Sequence, residues 1–226
     1  MTTIYDLTII IPTYNRADTI LRTIQYLRSN IIYDLGKINY LIGVDGDDDT
    51  PTKLRGIPNL KMLRGPERGL GANLNMLIQA CSTELILQMD DDHHLVEKLD
   101  INDYCLMLTD DNDFGWIRIY FGECTEPGGY YHFTGKLNGK YWKLLPNAGE
   151  LYIPSNRPHL KIKTFHAEQY GYYTPGLKLG QTENDFCHHF AETYKKDQTL
   201  SVYMPMYPPP ESTWRHVGDS WQGKGF

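Results

Sequence analysis

The sequence predicts an α/β protein with a Rossmann-like, mostly parallel sheet flanked by helices, and three observations carry that prediction. Apolar runs of strand length alternate with helical periodicity through the N-terminal half, the pattern that produces right-handed crossovers and parallel strands. Polar clusters close three of the strands: PTYNR after the first, DGDDDT after the second and DDDHH after the fourth. Open α/β sheets take their ligands beyond the carboxyl ends of the strands, so these clusters form one rim. Finally, 226 residues with 41% hydrophobic and 22% charged content fit one ordinary globular domain.

Each element has a local reason. DLTIII (Asp6 to Ile11) is a strand stopped by Pro12, and ADTILRTIQYLRSN is a helix with Ile20, Ile24 and Leu27 on one face and Asn15 or Asp18 as its cap. INYLIGVD is a buried strand ending at Asp45, LKMLR a short third, LGANLNMLIQACS a helix, and ELILQM the fourth strand. Further on come a helix at INDYCLMLTDD, a strand at FGWIRIYF, and a hairpin in YYHFTGKLNGKYWKLL around Asn138-Gly139. TENDFCHHFAETYKK is a helix with acids at its head and lysines at its end, as the helix dipole favours. TLSVYM is a last short strand, and residues 205–226, with Pro208 to Pro210, Trp214 and Trp221, are an aperiodic tail or flap. The expected organisation is a single domain over 1–226, with a ligand-binding half to residue 95, a second, less regular half over 96–204, and the tail.

Composition excludes several classes. A net charge of −6 argues against binding nucleic acid through bulk electrostatics. Cys81, Cys105, Cys124 and Cys187 have no zinc-ligand spacing and read as free thiols of a reducing compartment. No N-terminal signal stretch is visible, and no apolar run approaches the ~18 residues of a membrane span. A cytoplasmic location is therefore expected.

The run ILQMDDDHHLV places Asp90, Asp91 and Asp92 side by side at a strand end. Such a run repels itself unless water or a cation neutralises it. Carboxylates are hard oxygen donors suited to Mg2+ or Mn2+, ions that keep open positions for phosphate oxygens. The alternative is a solvated loop whose acids only cap a helix beginning near Leu95.

The ordered blocks LTIIIPTYNRADTILRTIQYL, LIGVDGDDDT, GLGANLNMLIQA and ELILQMDDDHHL resemble the family 2 glycosyltransferases, which have the GT-A nucleotide-sugar fold. The resemblance implies that Pro12, Thr13 and Tyr14 wall a nucleotide pocket, with Arg16 beside them. Asp45 or Asp47 would meet the base, Asp90 and Asp91 the donor ribose or sugar, and Asp92 the divalent cation, Mn2+ or Mg2+. QTENDFCHH is similar to the family's acidic block, which makes Glu183 the acceptor-activating base and Asp185 its support, or the reverse. Some enzymes of this fold close a C-terminal segment over the donor and use a histidine there, so His216 becomes a candidate metal or phosphate ligand.

The chain departs from the family pattern in two places. The second block reads Val44-Asp45-Gly46-Asp47-Asp48-Asp49-Thr50 where V-D-D-G-S-x-D is usual. The helix block carries Leu74-Asn75 where Arg-Asn is usual, and Arg68 is one turn away to supply the cation. No Gln-x-x-Arg-Trp signature of processive synthases is present, which implies transfer of a single sugar. The implied partners are a nucleoside diphosphate sugar, a UDP-sugar first, and an acceptor glycan or other hydroxyl compound. Two other functions compete. Asp92-His93-His94 also resembles the DHH phosphoesterases, and a binding module with the same pocket but no catalysis would share the first half.

Overall fold

The computed structural model describes residues 5–65, 68–110, 115–119, 132–137, 141–145, 156–196, 202–205 and 211–218. The N-terminal half consists of β1 (Leu7–Tyr14), α1 (Ala17–Asn30), β2 (Ile31–Ile32), β3 (Ile38–Asp45), the single turn α2 (Thr50–Lys53), β4 (Leu60–Arg64), α3 (Gly69–Ala80) and β5 (Leu85–Gln88). It is followed by β6 (His93–Leu95), β7 (Leu99–Asp100), α4 (Asn102–Asp110), β8 (Trp116–Arg118), β9 (His132–Leu137), β10 (Tyr141–Leu145) and β11 (His159–Ile162). Then come the short α5 (Lys163–Phe165), a π-helical turn over His166–Tyr170, α6 (Leu179–Lys196), β12 (Val202–Pro205), a 3-10 turn over Glu211–Thr213 and β13 (Trp214–His216).

Alternation along β1 shows why it lies at the centre. Leu7, Ile9 and Ile11 pack with Ile20, Ile24 and Leu27 of α1, while Ile10 packs on the other face with Leu74, Leu77 and Ile78 of α3. Successive strand residues face opposite sides, so a strand apolar on both faces is one covered by helices on both. Full burial of each such side chain contributes about 1.5–3 kcal/mol.

Among the described residues the main sheet runs β4-β3-β1-β5-β11-β8-β12-β10-β9. The expected mostly parallel sheet flanked by helices is present, its N-terminal half wholly parallel. Antiparallel neighbours are confined to the second half, where β11 inserts beside β5 and the β9–β10 hairpin forms the far edge. The expected turn of that hairpin, Asn138-Gly139, lies outside the described residues.

Four details differ from the sequence reading. Pro12 does not end β1, which continues to Tyr14 alongside β3. Ile10 accepts from Met89 on the β5 side, and its pairing with β5 stops there. Pro12 points the same way, beyond the last registered pair, so its missing N–H breaks no ladder bond. The cap of α1 is neither Asn15 nor Asp18: the Ala17 N–H donates to Asp48 Oδ2 at 2.9 Å, from the loop after β3. No helix begins near Leu95, since His93–Leu95 is extended and pairs with β13. Helix α6 starts at Leu179, which puts Glu183 in its second turn, not at its head.

The tail also differs. Thr213 accepts from the Val96 N–H at 2.9 Å, and the Val217 N–H donates to the Asp92 carbonyl at 2.8 Å. Trp214 is buried in the α1-side core. Residues 211–218 are therefore fastened to the body, through the strand β13 and the backbone bonds on either side of it. Trp221 lies outside the described residues.

Candidate active site

Two loops after β1 and β3 brace each other. Asn15, at φ 49°, turns its Oδ1 to the Asp47 and Asp48 N–H groups at 2.9 and 3.2 Å. Gly46, at φ 86°, allows this approach, because a Cβ there would lie 2.1 Å from Asn15 Oδ1. The rim is thus held by side-chain to backbone bonds across strand ends.

The three aspartates after β5 diverge in environment. Asp91 is buried and accepts from Thr13 Oγ1 at 2.6 Å and from Arg16 Nη1 at 3.1 Å. Burial pushes its carboxyl up to about 6, against the restraining effect of the Thr13 hydrogen bond. Asp90 is held well above the usual carboxylate range by burial and by the charges of Asp92, Glu183 and Asp91. Asp92 is also raised by burial, yet His93, His216 and Arg16 outweigh that and hold it well below the usual range. One short run therefore contains carboxyls with opposed tendencies, a feature of sites that handle protons and charge.

Asp92 is the meeting point. Its Oδ2 lies 2.9 Å from Arg16 Nη1 and 3.4 Å from His216 Nε2, and its Oδ1 faces His93 Nδ1 at 3.3 Å. No well-aligned hydrogen bond reaches Oδ1 from the described residues. Asp92, His93 and His216 offer donor atoms all within 4.8 Å of one another. A Cβ on Gly218 would lie 2.4 Å from Asp92 Oδ2 and 2.8 Å from His216 Nε2, so glycine leaves the space between them open. Burial keeps His93 below its ordinary pKa, which favours the neutral form that binds metals. A carboxylate with two imidazoles fits a first-row ion such as Mn2+ better than Mg2+, which prefers oxygen.

The strand β6 separates the two histidines that follow Asp92. His93 meets the ring of His216 at 4.8 Å, whereas His94 meets Tyr26 of α1 at 5.0 Å. Adjacent strand residues face opposite ways, so Asp92, His93 and His94 do not converge as a DHH site requires.

The other sequence candidates are distributed unevenly. Asp45 is buried, accepts from Asn73 Nδ2 at 3.2 Å, and has Gly65 against it, where a Cβ would lie 1.8 Å from Oδ1. Asp47 is exposed and pairs with Arg64 at 2.9 Å. Asn75 gives both ends of its amide to the Tyr173 backbone, at 2.8 and 2.9 Å, and so ties α3 to the segment before α6. Arg68 lines an open cleft with Ala72, Asn75, Met76 and Gln79 along the solvent side of α3. Pro12 and Thr13 are buried and Tyr14 is 45% exposed.

Glu183 and Asp185 separate as helical positions two apart must. Glu183 accepts from the Asn156 N–H at 2.9 Å, and its charge acts on Asp90. Asp185 is exposed and takes the Thr174 hydroxyl at 2.6 Å, in a cleft shared with Tyr172, His188 and His189.

Sequence reasoning missed several residues. His93 stands out in the sequence only as a member of Asp92-His93-His94. Asn73, not Asn75, is the helix asparagine that reaches the second strand, through Asp45 and the Gly43 carbonyl at 3.0 Å. Arg157, just before β11, is close enough to lower His93. Lys161 and His166 are wholly buried behind the site, with Lys161 donating to Gln88 Oε1 at 2.6 Å and Gln88 Nε2 to the Tyr173 hydroxyl at 3.0 Å. An asparagine on an otherwise apolar helix face was the available signal for Asn73; nothing in sequence pointed to Lys161.

The sheet with a carboxylate cluster at its strand ends has the GT-A arrangement, and known proteins agree with that reading. The sequence model of glycosyl transferase family 2 matches residues 8–191. The chain belongs to that family and carries a glycosyltransferase domain. Among solved structures, S. aureus TarS superposes with a TM-score of 0.62 at 17% identity, over 92% of this chain and 38% of that one. TarS 1-349 in complex with UDP-GlcNAc gives 0.62 at 16%, covering 92% and 60%. The mannosyltransferase PcManGT from Pyrobaculum calidifontis, in complex with GDP-Man and Mn2+, gives 0.59 at 15%, covering 91% and 55%. This chain thus spans less than two thirds of each of those proteins, and the likeness shows a shared fold. No curated protein matches it. No helix among the described residues is long and apolar enough to cross a membrane.

Proposed function

We propose that the protein transfers a single sugar from a nucleoside diphosphate sugar to an acceptor hydroxyl, with a divalent cation and with inversion at the anomeric carbon. The observation that carries the reading is the convergence on Asp90 to Asp92 of His216 from the C-terminal strand and of Glu183 from α6. Complexes of fold neighbours with UDP-GlcNAc and with GDP-Man and Mn2+ support a hexose donor on a nucleoside diphosphate.

In this reading Asp92, His93 and His216 would hold the divalent cation, which would supply positive charge beside the diphosphate. Asp90, raised by burial and by neighbouring charges, presents a hydrogen-bonding carboxyl to the donor ribose or sugar. Thr13, Tyr14 and the loop carrying Asp45 and Asp47 form the nucleotide side. Glu183 takes the proton of the acceptor hydroxyl as its oxygen attacks the anomeric carbon, and the bond to the diphosphate breaks on the opposite face with the electron pair leaving on phosphate oxygen. Glu183 has a role here that Asp185 lacks, because its charge acts on the aspartate cluster while Asp185 is engaged by Thr174 on an exposed face.

The test is release of nucleoside diphosphate from UDP- and GDP-sugars by the protein with Mn2+ and a panel of glycan acceptors. Acceptor-stimulated release supports transfer. Binding of nucleotide sugar with no release under any acceptor supports a binding module, and phosphodiester hydrolysis with Mn2+ supports the phosphoesterase.

A further inference from the structure

The guanidinium of Arg16 stands where a cation at Asp92 would act. A single nitrogen, Nη1, is shared between Asp91 Oδ1 at 3.1 Å and Asp92 Oδ2 at 2.9 Å. The Asp92 oxygen it uses is the one that faces His216 Nε2 at 3.4 Å. Asp91 keeps a second partner, Thr13, on its other oxygen, whereas the Asp92 contact joins the carboxylate that a metal would need. The Arg16 side chain is 42% exposed and sits in the loop before α1, so it can leave towards solvent without disturbing the core. Arginine favours a planar, two-nitrogen grip on carboxylate or phosphate. One nitrogen bridging two carboxylates uses little of that capacity.

We propose that Arg16 is an internal counter-ion that a divalent cation displaces from Asp92, and that the freed guanidinium then grips the diphosphate of the donor. The inference rests on the metal-dependent donor reading above and adds the exchange of partners within it. Without metal, Arg16 offsets the mutual repulsion of Asp91 and Asp92. With metal alone, binding must break the Arg16 to Asp92 contact. With metal and diphosphate together, the arginine regains an anionic partner, so the two ligands favour each other beyond their direct contact.

Arg16→Gln separates this exchange from simple charge repulsion through the sign of two affinities. Mn2+ alone, followed by the electron paramagnetic resonance of the free ion, should bind about tenfold more tightly, the scale of one charge-assisted hydrogen bond no longer to be broken. UDP or GDP, whichever binds the wild type better, should bind about tenfold more weakly at saturating Mn2+ by calorimetry. Arg16→Lys, with the charge but without the planar fork, should show the same opposed shifts, smaller in size, and thermal melts confirm that each variant is folded. Affinities that move in the same direction, or that do not move in either variant, overturn the proposal. A wild type that binds neither Mn2+ nor Mn2+ with nucleotide, beside an Arg16→Gln protein that does bind Mn2+, overturns the exchange, because the cation then fails to displace Arg16. No binding to any of the proteins overturns the metal reading itself, and the exchange with it.

Discussion

His216 Nε2 lies 3.4 Å from Asp92 Oδ2 because β13 pairs antiparallel with β6, which sets His216 opposite His93 in register. The same pairing sets Trp214 opposite Leu95 and buries its ring in the core. Strand β13 thereby delivers one imidazole to the Asp92 and His93 pair at the start of β6. His216 is itself half exposed, so its removal should leave the strand in place.

His216→Ala should therefore weaken Mn2+ binding by at least about tenfold, since even outer partners of a metal site are worth that much. The melting temperature of the metal-free protein should change little. Manganese titration by electron paramagnetic resonance reads the affinity; an unchanged value removes His216 from the ligand set.

Glu183→Gln keeps the shape and the acceptor for the Asn156 N–H but cannot take a proton. Donor affinity should stay near wild type while transfer falls by about 10²- to 10⁴-fold, the usual worth of a general base. Asp185→Asn should retain most activity, since that side chain points to Thr174 on an exposed face. The reverse result would assign the base to Asp185, and full activity in both would remove the inverting mechanism drawn here.

Lys161 has no exposed surface, and burial drives it well below the usual lysine pKa. On the acid side of 10.5 the folded protein therefore binds fewer protons at this amine than the unfolded chain does. Since the unfolded state binds more protons, stability rises with pH from the depressed folded value up to about 10.5, where the unfolded lysine releases its own. One such proton is worth about 1.4 kcal/mol per pH unit. Lys161→Met should flatten the rise of stability in urea titrations as the pH approaches 10.5. An unchanged slope contradicts the depressed lysine.

The N-terminal half was legible because its signals are local. Ile20, Ile24 and Leu27 form the buried face read from their spacing, and the strand ending at Asp45 ends there. Pro12 misled because its tolerance depends on which neighbour its nitrogen faces, a property of the sheet and not of the segment. Asn15 looked like a helix cap, but its side chain serves the loop after β3, and Asp48 of that loop caps the helix in return. Those are contacts across crossovers, invisible to a window of sequence. His216 was reachable only through resemblance, since nothing in WRHVGDSW indicates that Trp214 anchors a strand. His93 as a possible ligand and Asn73 beside Asp45 likewise depend on tertiary register, the one on β6 with β13 and the other on α3 with β3.

The central claim, a metal-dependent nucleotide-sugar site at Asp92, is tested most directly by thermal shift with UDP- and GDP-sugars, each with and without Mn2+, on the wild type and on Asp92→Asn. Asp92 is buried, but asparagine keeps its size and its partners Arg16 and His216 are half exposed, so the variant should fold, which its metal-free melt checks. The account predicts that at least one nucleotide sugar raises the wild-type melting temperature with Mn2+ and far less without it, in proportion to occupancy, and that Asp92→Asn loses this increment. A folded Asp92→Asn protein with the full Mn2+-dependent shift would contradict it.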